Sequence, residues 1–319
     1  MKRIVVGLVV VLALVGAGCS SGSSDGGDEA GKDGAATSPE PIETTTTSAP
    51  TTTAPEPLED QTPPSSINGI TLQGDTIWVA SIKDDVVLQI DAETGAIVRR
   101  VDTQGAGPDD VAVAPDGSVW TTGFVNGDLG RIDDGTYEVV VNIEKGINPL
   151  EFGSDGTLFV GTYGPKGTLY SLSTDGGAPI DGEKPQVAVK DLPDINAFGV
   201  LDDDTLVAPA GGLTGPSEAV HIDPETGTVS TIVADLPAVA AGATDADGVP
   251  YVLANVTGEV IAIDVDAKTS KVVETAKDGA PFDNLAFAPD GTIYVSSFTA
   301  PAITVIDPDG TQHVLTIGS

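Results

Sequence analysis

The 319-residue chain contains one cysteine, two histidines and one methionine. A lone Cys19 excludes any disulfide within the chain and any cysteine-built metal site. The only histidines, His221 and His313, are too few for a histidine-rich metal centre. No His-Glu-x-x-His, Cys-x-x-Cys or phosphate-loop motif occurs, and no Ser/His/Asp set can be picked out. Positive charge is also scarce: 14 basic residues face 48 acidic ones, a net charge of −34. Nine of those acids and three of the bases precede position 65, which leaves 39 and 11, a net −28, in the remainder. So acidic a surface repels nucleic acid and anionic lipid, and nucleic acid is excluded as a partner. No stretch shows convincing helical periodicity, and the 39 Gly and 23 Pro interrupt most candidates.

What is present begins at the N-terminus. Met1-Lys2-Arg3 leads into an apolar run from Ile4 to Val15, then Gly16-Ala17-Gly18-Cys19. The run is shorter than the roughly 20 residues of a membrane span and has the layout of a secretory signal. Small residues before a lone Cys resemble the bacterial lipobox, with Gly16 standing where Leu is usual. The resemblance implies cleavage before Cys19, diacylglyceryl attachment at its thiol, and an extracytoplasmic protein anchored to the bacterial cell membrane as a lipoprotein. An ordinary secretory signal with an incidental Cys is the alternative. Residues 1–18 are thus expected to be a lipoprotein signal peptide. Residues 19–64 are Ser, Gly, Asp, Thr and Pro without apolar periodicity, and read as a disordered tether. Gly22-Ser23-Ser24-Asp25-Gly26 matches a serine-hydrolase elbow but lacks its strand–turn–helix context.

Residues 65–319 hold six variations of one repeat. Anchored at Trp78, Trp120, Leu158, Leu206, Tyr251 and Tyr294, the spacings are 42, 38, 48, 45 and 43 residues. Each unit carries four short apolar runs separated by turn residues. Asp-Gly pairs at 116–117, 155–156, 247–248 and 290–291 mark hairpins, with Asp203-Asp204 in the fourth unit. The recurrence of these aspartates at hairpin tips makes them turn residues rather than calcium ligands. A period of this size predicts an all-β, six-bladed β-propeller of four-stranded antiparallel blades. The last strand is expected over His313–Ile317, and a monomer is expected. Whether a swapped strand closes the ring is left open.

Gly107–Asp133, "GPDDVAVAPDGSVWTTGFVNGDLGRID", resembles the repeats of virginiamycin B lyase-like and NHL propellers. Residues 87–102 and 219–232 resemble those of YVTN-type surface-layer propellers. Starts such as "INGITL" and "FDNLAFAPDG" are similar to those of gluconolactonase-like (senescence-marker-protein-like) propellers.

Aligning the first strand of each unit places Asn68, Asp109, Asn148, Asn196, Ala240 and Asp283 at one shared position. Innermost strands surround a propeller's channel, so these residues are expected to form a ring at one mouth. Three amides and two carboxylates offer oxygen ligands to Ca²⁺ or another divalent cation. Capping of loop-to-strand turns by Asn and Asp is the alternative. The gluconolactonase resemblance implies one divalent cation held by Glu, Asn and Asp. Asn148 or Asn196 would match the Asn, and Asp109 or Asp283 the Asp. Asn68 stands where the Glu belongs, which leaves Glu151 as a candidate catalytic carboxylate. Phe124, Tyr163 and Phe298 follow the second strands and are expected on the same mouth as ligand-binding aromatics. Ala210–Ser217 is read there as a longer Gly-rich insertion.

Two functions follow as expectations. The first is a lipid-anchored, non-catalytic module that binds a small ligand or an envelope protein on its loop face. The second is a divalent-metal-dependent hydrolase of the gluconolactonase type acting on a lactone or small ester.

Overall fold

The computed structural model describes residues 55–318. Cys19, the expected signal peptide and most of the expected tether lie outside the described residues. Strands recur wherever β-branched and apolar residues run between Asp/Gly turns, and they assemble into six four-stranded antiparallel sheets. Blade one comprises Ile70–Gln73, Thr76–Ser81, Val86–Asp91 and Ile97–Asp102. Blade two comprises Pro108–Val113, Val119–Gly123, Asp128–Asp133 and Thr136–Asn142. Blade three comprises Ile147–Phe152, Leu158–Thr162, Gly167–Leu172 and Gln186–Leu192, with a small hairpin, Thr174–Asp175 and Ala178–Pro179, inserted before its last strand. Blades four to six begin at Gly199, Val239 and Phe282 and end at Leu236, Thr275 and Thr316.

The hairpin turns obey local chemistry. Asp116 Oδ1 accepts the Ser118 N–H at 2.9 Å, and Asp290 Oδ1 accepts that of Thr292 at 2.9 Å. These hydrogen bonds hold the Asp290 carboxyl below the usual carboxylate range, and they act in the same direction on Asp116, against its partial burial. Blade four lacks the turn glycine, and Asp204 takes the left-handed conformation instead, at φ 61°.

Among the described residues each blade is built from its own strands in chain order, blade three with its hairpin inserted, and no swapped strand closes the ring. Closure instead joins blade six to blade one. Ile67 N–H donates to Ser297 O at 3.3 Å, and Gly318 N–H to Gly95 O at 2.9 Å. The segment entering the domain clips the edge of blade one. Leu58 N–H and the Gln61 amide both donate to Ile97 O, and Gln61 Oε1 accepts the Ile97 N–H at 2.8 Å.

Six buried apolar clusters lie between successive blades. Strand register identifies the residue that plugs each gap. Trp78, Trp120, Phe159, Val207, Tyr251 and Tyr294 are paired with Thr71, Ala112, Glu151, Gly199, Ala243 and Ala286 of the innermost strands. The repeat anchors of blades three and four are therefore Phe159 and Val207, one residue beyond Leu158 and Leu206. Trp78, Trp120, Phe159 and Val207 are buried and Tyr251 and Tyr294 are partly buried, each packed between its own blade and the next. Five plugs are aromatic and the sixth is Val207. Between blades four and five lies an open groove of about 930 Å³ lined by Leu201, His221, Val249, Ile263 and Val265 among others.

Candidate functional site

The channel mouth is shaped by a repeated backbone irregularity. Where the inner strands of blades two, three, five and six begin to pair with the second strand, the register shifts: between Pro108 and Val111, Ile147 and Leu150, Val239 and Ala241, and Phe282 and Leu285. In these bulges two residues of the inner strand face one residue of its partner. A bulge re-aims a side chain that a regular strand would turn into the sheet. Asp109–Asp110, Asn148–Pro149 and Asp283–Asn284 occupy the bulges of blades two, three and six. Ala240 occupies that of blade five, where it carries no polar group.

Hydroxyls tie successive bulges together. Asp110 N–H donates to Thr122 Oγ1 at 3.2 Å, and Thr122 Oγ1–H donates to Asn148 O of the next blade at 2.7 Å. Blade six repeats the device: Asn284 N–H reaches Ser296 Oγ at 2.9 Å, and Ser296 Oγ–H reaches Asn68 O at 3.0 Å. These bonds satisfy buried backbone groups that the bulges remove from the ladder.

The structure brings Asn68, Asp109, Asn148, Asn196 and Asp283 together around one cavity of about 140 Å³. Phe124, Tyr163 and Phe298 line the same cavity, joined by Ile82 and Leu213. Phe124 and Tyr163 are neighbours, with ring centroids 6.3 Å apart. Ile82 follows the second strand of blade one as Phe124 and Phe298 follow theirs, and Leu213 comes from the insertion in blade four.

A directional hydrogen-bond chain runs round the ring. Asn68 Nδ2 donates to Asp283 Oδ2 at 3.3 Å, and Asn196 Nδ2 donates to Asp283 Oδ1 at 3.2 Å. Asn148 Nδ2 donates to Asn196 Oδ1 at 2.8 Å. An ionised carboxylate only accepts, so Asn196 must turn its NH₂ to Asp283 and its oxygen to Asn148. Asn148 must then spend its NH₂ on Asn196, and its Oδ1 is buried without a donor. Asp109, 5% exposed, likewise has no hydrogen bond to its carboxylate among the described residues.

Burial dominates the electrostatics. It pushes Asp109 well above the usual carboxylate range, and the neighbouring charges of Asp283 and Asp110 add to the effect. Asp283 is pushed up to about 7 by burial, against the opposing bonds from Asn196 and Asn68. Asp110, absent from the sequence-derived ring, is buried beside it and also raised, although Val111 and Leu150 N–H groups bond its carboxylate. The Asp109-Asp110 doublet was its only signal.

Glu151 does not line this cavity. It lies three residues beyond Asn148, roughly 10 Å along the strand. Among the described residues its carboxylate accepts one hydrogen bond, from the Phe152 N–H at 3.0 Å, and burial pushes it up to about 7. His221, on Ser217–Asp223, bonds Thr205 Oγ1 at 2.9 Å, and His313 sits on Gln312–Thr316; neither is at the mouth. Among the described residues no three His, Cys, Asp or Glu converge at metal distance. The two carboxylates and the free Asn148 Oδ1 nevertheless fit a hard divalent cation in kind, since such ions take oxygen ligands.

No protein-family model and no curated protein sequence matches the chain. Solved structures do. A gluconolactonase from Xanthomonas campestris is similar with a TM-score of 0.61 at 16% identity, over 76% of this chain and 86% of that one. A calcium-binding protein, regucalcin, from Agrobacterium tumefaciens gives 0.56 at 18%, over 81% and 92%. A catalytically inactive virginiamycin B lyase from Staphylococcus aureus, with quinupristin, gives 0.59 at 14%, over 82% and 87%. The chain is a six-bladed β-propeller. At these identities the likeness is one of fold, and a fold carries many activities.

Proposed function

We propose that the protein is a non-catalytic binding module, lipid-anchored outside the cytoplasm, that takes a small ligand or a partner's side chain at its channel mouth. One observation carries this reading: five polar ring residues and three aromatics from different blades line a single cavity. Extracytoplasmic anchoring rests on Arg3, the apolar run and Cys19 alone. Saturation-transfer NMR of the full chain against a set of small polar fragments tests it. Binders that Asn196→Ala and Tyr163→Ala both weaken support a mouth site. Binding that neither change alters contradicts it.

The hydrolase reading has an observation of its own, the unpartnered Asn148 Oδ1 beside two carboxylates. Asp109, Asp283 and Asn148 would hold the divalent cation, which would supply Lewis-acid polarisation of a lactone or ester carbonyl. Glu151 lies outside the cavity lining, three residues beyond Asn148 on the same strand, and this favours binding over catalysis. Lactone hydrolysis that requires Ca²⁺, Mg²⁺, Mn²⁺ or Zn²⁺ and is lost in Asp109→Asn would reverse the preference.

A further inference from the structure

We infer that the channel-mouth cavity selects a small organic cation, an amine or a quaternary ammonium. The inference rests on the binding role proposed above and names its ligand class. Charge is the first argument. Asp109 and Asp283 line the cavity, and no Lys, Arg or His does. Buried carboxylates are ordinarily paired, yet Asp109 has no donor within the described residues. A positive charge is the missing partner.

Hydrogen-bond polarity is the second argument. Asn68 and Asn196 turn their NH₂ groups to Asp283, and Asn148 turns its own to Asn196. The groups left without a donor are acceptors: Asn148 Oδ1, at a residue only 4% exposed, and the Asp109 carboxylate. A ligand that brings donors or positive charge satisfies them.

Shape and surface are the third. Ile82, Phe124, Tyr163, Leu213 and Phe298 form the other half of the lining. A bare metal ion leaves that apolar half unused. A volume of about 140 Å³ holds roughly five groups of water size at about 30 Å³ each, the size of a tetramethylammonium ion. Aromatic faces attract cations, and desolvation strengthens that attraction.

The test is isothermal titration of the full chain with tetramethylammonium chloride, methylammonium chloride, calcium chloride and neutral tert-butanol, at fixed ionic strength and pH 8. Saturable one-site binding of at least one organic cation is expected, with tert-butanol at least tenfold weaker. Asp109→Asn should weaken the cation at least tenfold. Phe298→Ala should weaken it roughly two- to tenfold, the range for a cation–π contact at a partly exposed ring. Phe298 is 39% exposed, so this variant keeps the measurement valid where Asp109→Asn fails to fold. The inference is overturned where neither organic cation binds more tightly than about 10 mM, or where tert-butanol binds equally well. Calcium binding that depends on Asp109, without organic-cation binding, overturns it in favour of the metal reading. Neutral fragments that bind at the mouth while cations do not overturn the ligand class and leave the binding role standing. No response to any probe removes both.

Discussion

Replacing Glu151 by Gln should flatten part of the pH dependence of stability. Burial raises the Glu151 carboxyl from its ordinary 4.5 to about 7 in the folded protein. The native state therefore holds this proton more tightly than the unfolded chain does. Its stabilising contribution is full below about pH 4.5 and is lost as pH rises through about 7. A shift of about 2.5 units corresponds to roughly 3 kcal/mol over the whole window, of which about 2.5 kcal/mol falls between pH 5 and pH 8.5. Gln keeps the shape and cannot ionise, so the variant should lose about that much less. Asp110 feels the Glu151 charge, and its relief in the variant acts in the same direction. Asp109 and Asp283 titrate in both proteins and cancel in the comparison. Urea unfolding at pH 5 and pH 8.5, followed through Trp78 and Trp120 fluorescence, gives the four free energies needed. An equal pH effect in both proteins would refute a buried Glu151 titration.

Thr122→Val should destabilise the domain by about 1–3 kcal/mol, because it strands the Asp110 N–H and the Asn148 carbonyl inside the protein; a thermal or urea melt reads this directly. Val207→Tyr should cost less than Val79→Tyr. Val207 is also buried, but it is paired with Gly199 and with His221, which lines the open groove between blades four and five and can yield toward it, whereas Val79 sits in a closed cluster where overpacking costs about 1–3 kcal/mol. Paired melts of the two variants check the difference. Cys19→Ser should move the protein from the membrane fraction to the soluble or secreted fraction, and detergent partitioning of the two forms measures it.

The repeat was legible because hairpin chemistry recurs at fixed places: alternating apolar runs mark every blade, and Asp-Gly tips mark four of the six. Register within the blades was less so. Leu158 and Phe159, like Leu206 and Val207, are adjacent apolar residues in strands buried on both faces, and parity cannot separate them. The ring could be aligned because Asn or Asp recurs before the first apolar run in five blades of six, Ala240 being the exception. The bulges that turn those side chains into the channel could not, since a bulge is a relation between two strands. Asp110 was missed for the same reason: a regular strand would send it to the face opposite Asp109, whereas the bulge buries both. Glu151 stood out as a lone charge among Thr71, Ala112, Gly199 and Ala286. Its distance from the ring needed the strand to be laid along the channel. The absence of a strand swap depended on how the ends at Ile67 and Gly318 meet, which no repeat period encodes.

The most direct measurement is chemical-shift mapping of the full chain titrated with tetramethylammonium. Saturating shifts confined to Ile82, Phe124, Tyr163, Asn196 and Leu213 are expected, with the edges of the blades unmoved. Shifts centred on His221 and Lys271 in the groove between blades four and five, or no saturating shifts at all, would contradict a ligand site at the channel mouth.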